Sequence, residues 1–457
     1  MSNTSNEIIR MIENAESNHQ CIRPITSAQK QYAYRCVKKG TFVRTFRNLC
    51  ARTEYWQKLY PSEKMRHIAI SLMEIYPEWK FTGLTAAALL GYDIVENYDD
   101  VEDGSDNIQR NFSPSVSSTK IYVRSSVHKS ANDNPYLHRI MRTCKEQDGT
   151  SDDVRIVQPS RKYDGQLITL PHSSDRVSYE IRSHIVDKST MLFDVANTVN
   201  FRTALPIFDS AARDNVNFNK VLEICGRRYG ASAGRRRNGC ANEFQYVNDV
   251  YDEYGSFNEE YEDLRTREKS VISANSAESF ANAFAGGGFG KSCSKEYSLL
   301  RLRRLCFFKN GASENGGESF ARGTMIDLGF MVPELQYEFV APNSRVKYRC
   351  DFLWRVSGGG LIVGELDGYD KYFVDSTNST HANINFNSSS DTQMLRNSYN
   401  QAAINRNIDR QAERESVLFR ECGVSKIVRF NFADVVGVKN LEWKLVEAGV
   451  PRIMRVG

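Results

Sequence analysis

Lys347-Tyr-Arg-Cys-Asp351-Phe-Leu-Trp-Arg-Val356 and Leu361-Ile-Val-Gly-Glu365-Leu-Asp367-Gly368, separated by Gly358-Gly-Gly360, decide how this chain is read. Both stretches are rich in β-branched and aromatic residues and the glycines between them supply a turn, so they read as a hairpin. A three-residue loop of Gly358 to Gly360 pairs Ser357 with Leu361, Leu353 with Glu365, and Asp351 with Asp367. In that register Asp351, Glu365 and Asp367 share one face. Phe352, Trp354, Ile362 and Leu366 share the other, which is what a sheet packed on a helix requires.

Like charges directly across a sheet repel, and partial burial raises the cost. A divalent cation, Mg2+ or Mn2+, held by Asp351, Glu365 and Asp367 compensates it. Such an ion suits oxygen-only ligands, polarises a phosphoryl oxygen and lowers the pKa of an attacking water. The competing account is that nearby arginines neutralise the acids in a solvated pocket without chemistry.

Outward from the hairpin, Gly316-Gly-Glu318-Ser319 opens a helix that carries Phe320, Met325 and Leu328 on an apolar side and stops at Gly329. Leu335–Val340 reads as a strand. Beyond the polar Thr377–Thr392 tract, a long helix spans Met394 to Cys422. Ile404, Ile408 and Ala412 repeat on its buried side, and Arg406, Arg410 and Arg414 on another. That ladder suits either a phosphate backbone or the carboxylates Asp409, Glu413 and Glu415. Ser425–Phe430 supplies a fourth strand, and Asp434 begins a short helix.

Helix, three strands bearing Asp and then Glu-x-Asp, long helix and strand resemble the PD-(D/E)XK superfamily, above all its very-short-patch-repair-like endonucleases. The matching residues are Gly-Glu318-Ser319, Tyr-Arg349-Cys-Asp351-Phe352, Val-Gly-Glu365-Leu-Asp367-Gly368 with Lys371-Tyr372, Arg414-Glu415, and Val-Arg429-Phe430 before Asp434. The resemblance implies Asp351, Glu365 and Asp367 as catalytic and metal-binding residues, supported by Glu318, Arg349 and Arg414. The third motif ends in Asp367 where the commonest pattern has lysine. Lys371, six residues after Glu365, is the candidate replacement, or else a solvated lysine at a strand end.

The N-terminal part reads as helix, helix, hairpin: Asn6–Glu16, then Ala28–Lys39 after a start at Thr26-Ser27 and before Gly40, then Thr41–Arg44 and Leu49–Arg52. Lys38 and Lys39 on the helix and Arg44 on the hairpin form the cation pattern of a winged helix, and equally that of an ordinary α/β subdomain. Val37-Lys-Lys-Gly40-Thr-Phe-Val-Arg44, Leu84-Thr-Ala-Ala87 to Leu90-Gly91, and the helices from Asp194 to Asp209 resemble the abortive-infection type IV antitoxins, whose members are winged-helix regulators. Further helices are expected near Lys64–Tyr76, Ser189–Val199 and Ala204–Asn219. A small mixed sheet is expected from Ile121–Arg124, Val154–Val157 and Leu167–Leu170.

Ala285-Gly-Gly-Gly-Phe-Gly290-Lys291-Ser292 fits a relaxed phosphate loop, but Ala277–Phe284 before it reads as amphipathic helix rather than buried strand. Nucleotide binding there is the minor reading. Basic clusters at Arg227-Arg228, Arg235–Arg237 and Lys295–Lys309 are offset by acidic runs at Asp99–Asp106 and Asp252–Asp263. Each run suits a solvated face, and the net charge is only +4.

The fold class expected is therefore multidomain α/β (α+β), with a winged-helix-like region over 1–110, a mixed α/β domain over 111–219 with a boundary near Asn219, a helical linker over 220–310 and the nuclease-like domain over 311–457. The 457 residues, 40% hydrophobic, suffice for separate cores. Ten scattered cysteines without Cys-x-x-Cys spacing argue against structural zinc. The absence of an export signal or long apolar run points to a reducing cytoplasm. The function expected is a metal-dependent DNA endonuclease with an N-terminal DNA-binding or regulatory part. Lys38, Lys39, Arg44, Arg406 and Arg410 are its DNA contacts, DNA and a second copy of the chain its candidate partners, and no membrane is involved. The alternative is a non-catalytic DNA-binding regulator or antitoxin with a degenerate nuclease domain. Phage defence, repair and toxin control all suit such a chain.

Overall fold

The computed structural model describes residues 3–95, 119–125, 136–141, 160–163, 166–169, 183–230, 293–356, 358–367 and 411–452. They form a mixed α/β protein with helices and several small sheets, and contacts divide the chain into two units, Met1–Gly311 and Ala312–Gly457. Val154–Val157, the phosphate-loop-like 285–292, both acidic runs, the Thr377–Thr392 tract, Lys371, Arg406 and Arg410 lie outside the described residues.

The first unit begins with helices α1 (Asn3–Ser17) and α2 (Ser27–Lys38). Thr26 caps α2 in a capping box with Gln29, and Gly40 ends it at φ +75°. Strands β1 (Phe42–Phe46) and β2 (Leu49–Arg52) form an antiparallel hairpin that turns at Arg47-Asn48. Each strand buries most of its side chains, Arg44 being an exception. Two helices follow, α3 (Thr53–Lys58) and α4 (Pro61–Ile75).

The mixed sheet of this unit contains the expected Ile121–Arg124 strand together with two strands that were not expected. β4 (Ile121–Ser125) lies between β3 (Lys80–Phe81), antiparallel, and β5 (Leu137–Met141), parallel. Strands β6 (Ser160–Tyr163) and β7 (Gln166–Thr169) form a separate hairpin. The fully buried α5 (Gly83–Leu89) packs beside α6 (Lys188–Thr198), which is followed by α7 (Phe201–Arg213). Asn219, near the expected boundary, sits in the first turn of α8 (Phe218–Gly230), and α9 (Cys293–Phe308) follows in the same unit.

A buried ionic knot ties this core. Arg124 of β4 makes a two-pronged ion pair with Asp194 of α6, Nε to Oδ2 and Nη2 to Oδ1, each at 2.9 Å, and Thr82 donates to the same carboxylate at 2.6 Å. The low local dielectric makes removal of one partner costly.

The second unit opens with α10 (Gly316–Asp327) and continues through β8 (Glu334–Val340), β9 (Lys347–Arg355) and β10 (Leu361–Asp367). After helix α11 (411–421) come β11 (Val424–Asn431), α12 (Phe432–Val436) and α13 (Lys439–Ala448). The sheet runs β11-β10-β9-β8, parallel between β10 and β11 and antiparallel elsewhere.

The β9–β10 register corrects the expected one by two residues. Arg355 pairs with Leu361, Leu353 with Val363, and Phe352 with Gly364, and a Val356–Gly360 hydrogen bond continues that register, so the turn is centred one residue earlier than the expected Gly358–Gly360 loop. Ser357, expected opposite Leu361, lies outside the described residues. Val356 donates to the Gly360 carbonyl at 2.9 Å, and Gly358 and Gly359 adopt the left-handed φ values of +91° and +83° that such a turn demands. A slip of two leaves every side chain on its expected face. Phe352 and Trp354 stack on one side with ring centroids 6.3 Å apart, and Phe352 meets Phe430 at 5.8 Å. Leu353 and Val363 pack on the other with Leu418 of α11.

Two substitutions test this packing by urea unfolding. A Cβ on Gly364 would stand 2.8 Å from the buried Trp354 ring, so Gly364→Ala is expected to destabilise the second unit by about 1–3 kcal/mol, and wild-type stability would show that the ring yields freely. Asp194→Ala, which strips Arg124 of its two-pronged partner, is expected to cost about 3–5 kcal/mol, and a change near zero would deny the ion pair its structural part.

Candidate active site

The carboxylates gather at one corner of the second sheet. Asn315 caps α10, accepting from the Glu318 amide at 3.0 Å, which fixes Glu318 in the first turn. Its carboxylate then accepts from Asn315 Nδ2 at 2.7 Å, the Glu314 amide at 2.8 Å and Gln336 Nε2 at 2.9 Å. Glu318 is only 3% exposed. Burial pushes its pKa up to about 7, with the charges of Asp351 and Glu314 adding to the rise.

Asp351 stands where β9 and β10 part. Their pairing stops at Phe352–Gly364, and the Asp351 carboxylate takes the next amide proton itself, from Leu366 N at 2.8 Å. Burial raises its pKa as well. Asp367, expected directly across from Asp351, is instead displaced along β10, and Glu365, next after the last paired residue Gly364, lies near enough to Asp351 for that charge to raise its pKa. Glu365, 9% exposed, has its pKa pushed up to about 7 by burial, against the opposing pull of Arg414 and with a push from Asp351 and Asp367.

Three arginines answer these acids. Arg414 of α11 donates to Glu365 at 2.6 Å and to the Arg349 carbonyl at 2.5 Å. Arg429 of β11, paired with Glu365 in the parallel ladder, donates to Asp367 at 3.0 Å and to Glu415 at 3.1 Å. Arg349 pairs with Glu314. Of the ladder expected on the long helix, Arg414 faces the site acid Glu365, while Arg406, Arg410 and Asp409 lie outside the described residues. Glu314, Glu318, Asp351, Glu365 and Asp367 still outnumber the three guanidinium groups.

Sequence reasoning assembled Glu318, Arg349, Asp351, Glu365, Asp367 and Arg414, and the structure brings them together. It overlooked Glu314 and Gln336. Gln336 interrupts β8 at φ +52°, a conformation that costs a non-glycine residue about 1–3 kcal/mol, and its side chain donates to Glu318 at 2.9 Å and opposes the rise of the Asp351 pKa. No motif marks it, because the backbone twist that aims it inward comes from the β8–β9 pairing.

The donor set is all oxygen, which fits a hard divalent cation, and the two carboxyls held near pKa 7 are the kind a double positive charge would ionise. Among the described residues no three His, Cys, Asp or Glu side chains already converge into a metal cage. Asp351 and Glu365 are the residues placed to hold an ion, while Asp367 is drawn toward Arg429.

In the first unit Lys38, Lys39 and Arg44 are all exposed, the lysines at the end of α2 and Arg44 on β1. The described cysteines are free thiols, and among the described residues no helix is long and apolar enough to cross a membrane. Comparison with family models, curated proteins and solved structures finds no match for this chain.

Raised carboxyl pKa values carry a signed consequence. Glu318 and Glu365 titrate near 7 in the folded protein against 4.5 ordinarily, so the folded state holds protons that the unfolded chain releases. Their stabilising contribution is complete below about pH 4.5 and disappears as pH rises through about 7. With divalent ions chelated, the urea midpoint should fall between about pH 5 and about pH 8, less steeply in Glu318→Gln. A midpoint rising across that window would contradict the burial of these acids.

Proposed function

We propose that the Ala312–Gly457 unit is a divalent-metal-dependent phosphodiester hydrolase of the PD-(D/E)XK type that acts on DNA, and that the N-terminal unit contributes DNA contacts through Lys38, Lys39 and Arg44. The observation that carries this reading is the buried acid corner, where Asp351 takes the Leu366 amide at the parting of two strands and its charge reaches both Glu365 and Glu318. A bound Mg2+ or Mn2+ would polarise the phosphoryl oxygen and lower the pKa of the attacking water. Asp351 and Glu365 would hold that ion. Glu318, protonated or ionised near neutrality, positions Asp351 through the Gln336 amide and can hold a proton at its own carboxyl. Arg414 lies beside Glu365, where its guanidinium can meet the charge of a phosphate.

A second reading, a DNA-binding regulator without catalysis, is favoured by two ion pairs. Arg414 already neutralises Glu365 and Arg429 already neutralises Asp367.

Supercoiled plasmid separates the two. Under the first reading the purified full-length protein nicks it with magnesium or manganese, and Asp351→Ala or Glu365→Ala lowers the rate by roughly 100-fold or more. Undiminished nicking in both variants would exclude the site. A salt-dependent mobility shift without cleavage, weakened when Lys38, Lys39 and Arg44 are made alanine, would establish the regulator instead.

A further inference from the structure

A separate cleft in the first unit has chemistry that neither reading uses. It encloses about 350 Å3 beside the turn of the β1–β2 hairpin, toward the lower end of the ~300–1,000 Å3 span of small-molecule sites. Arg23, Arg47 and Arg139 line it, arriving from the α1–α2 connection, the hairpin turn and strand β5, and Glu78 is the one acid among them. Phe46 and Leu72 add apolar walls.

The aromatic part is already organised. Tyr76 and Trp79 stack face to face, centroids 4.1 Å apart and planes 7° from parallel, and the turn that carries them is closed by the Trp79 amide donating to the Tyr76 carbonyl at 3.0 Å. The Arg139 guanidinium lies over the Trp79 ring at 5.5 Å. Tyr76 remains 37% exposed and lines the cleft, which leaves part of it open to a further flat group.

We propose that this cleft binds one nucleotide unit, its base stacked on the Tyr76–Trp79 pair and its phosphate held by the arginines. Planar forked guanidinium groups match phosphate oxygens two at a time, and a base stacked on an aromatic ring gains about 1–3 kcal/mol. Either element alone would be unselective. Together they require a flat ring and an anion on one molecule at nucleotide spacing. Glu78 narrows the class further: it accepts from a base amine or sugar hydroxyl and repels a second phosphate group in the cleft. The same chemistry is offered by a free nucleoside monophosphate and by an unstacked nucleotide in a single strand.

Calorimetric titration of the full-length protein tests this with each nucleoside 5′-monophosphate, the matching nucleosides and a short single-stranded oligodeoxynucleotide. At least one monophosphate should bind, with its nucleoside about tenfold or more weaker. Arg47→Ala, at an exposed turn where folding is spared, and Tyr76→Ala should each weaken binding by about tenfold. Asp351→Ala should leave it unchanged, which separates this cleft from the acid corner. Tighter binding of the oligonucleotide identifies the strand as the source, and tighter binding of the monophosphate identifies the free nucleotide. Equal affinity for nucleoside and nucleotide, wild-type affinity in both Arg47→Ala and Tyr76→Ala, or no heat with any monophosphate at millimolar concentration would overturn the proposal.

Discussion

At the point where β9 and β10 separate, one carboxylate replaces a backbone acceptor: Asp351 receives the Leu366 amide proton that a continuing ladder would have paired with a carbonyl. A buried amide left without a partner is costly, so this bond holds the strands at a fixed splay. The rest of the corner is arranged around it. Glu365, one residue before Leu366, comes within reach of the Asp351 charge, and Gln336 on the other neighbour of β9 donates to Glu318 and opposes the rise of the Asp351 pKa. Trp354 on the opposite face sits against Gly364, where no larger residue fits, and that contact keeps the pairing in register up to the point of separation.

Charge at this corner is balanced only in part. Burial lifts the carboxyls of Glu318 and Glu365 to about 7, even though Glu318 accepts several hydrogen bonds and Glu365 faces Arg414. Folding therefore concentrates negative charge where water is scarce and holds it in place with a capped helix, a strained glutamine and a parallel strand. Such an arrangement is expensive for a merely structural purpose and suited to one in which an ion or a phosphate substrate adds or removes charge. Arg414 and Arg429 are then ambivalent residues, able to quiet the acids or to receive an anion beside them.

The first unit solves a comparable problem in the opposite way. Arg124, Asp194 and Thr82 bring opposite charge into its core and satisfy it there, with the ion pair almost wholly inaccessible. Arg202, Arg301 and Arg304 are buried in this unit as well, while Lys38 and Lys39 at the end of α2 and Arg44 and Arg47 on the β1–β2 hairpin stand at the surface.

Local pattern was enough to read the strands of the second unit, the capped start of α10 and the separation of acidic from aromatic faces. Those properties depend on alternation along one chain segment, and alternation survives a two-residue error in pairing. Which acid stands beside which was not readable, because the turn is centred one residue earlier than its three glycines suggest, closed by the Val356–Gly360 hydrogen bond. Nor could the sequence show that Arg414 would meet Glu365, that Gln336 would turn inward, or that Leu137–Met141 would become a strand. Each of these is fixed by a partner distant in the chain, and a preference for such a partner leaves no periodic trace among the residues that surround it.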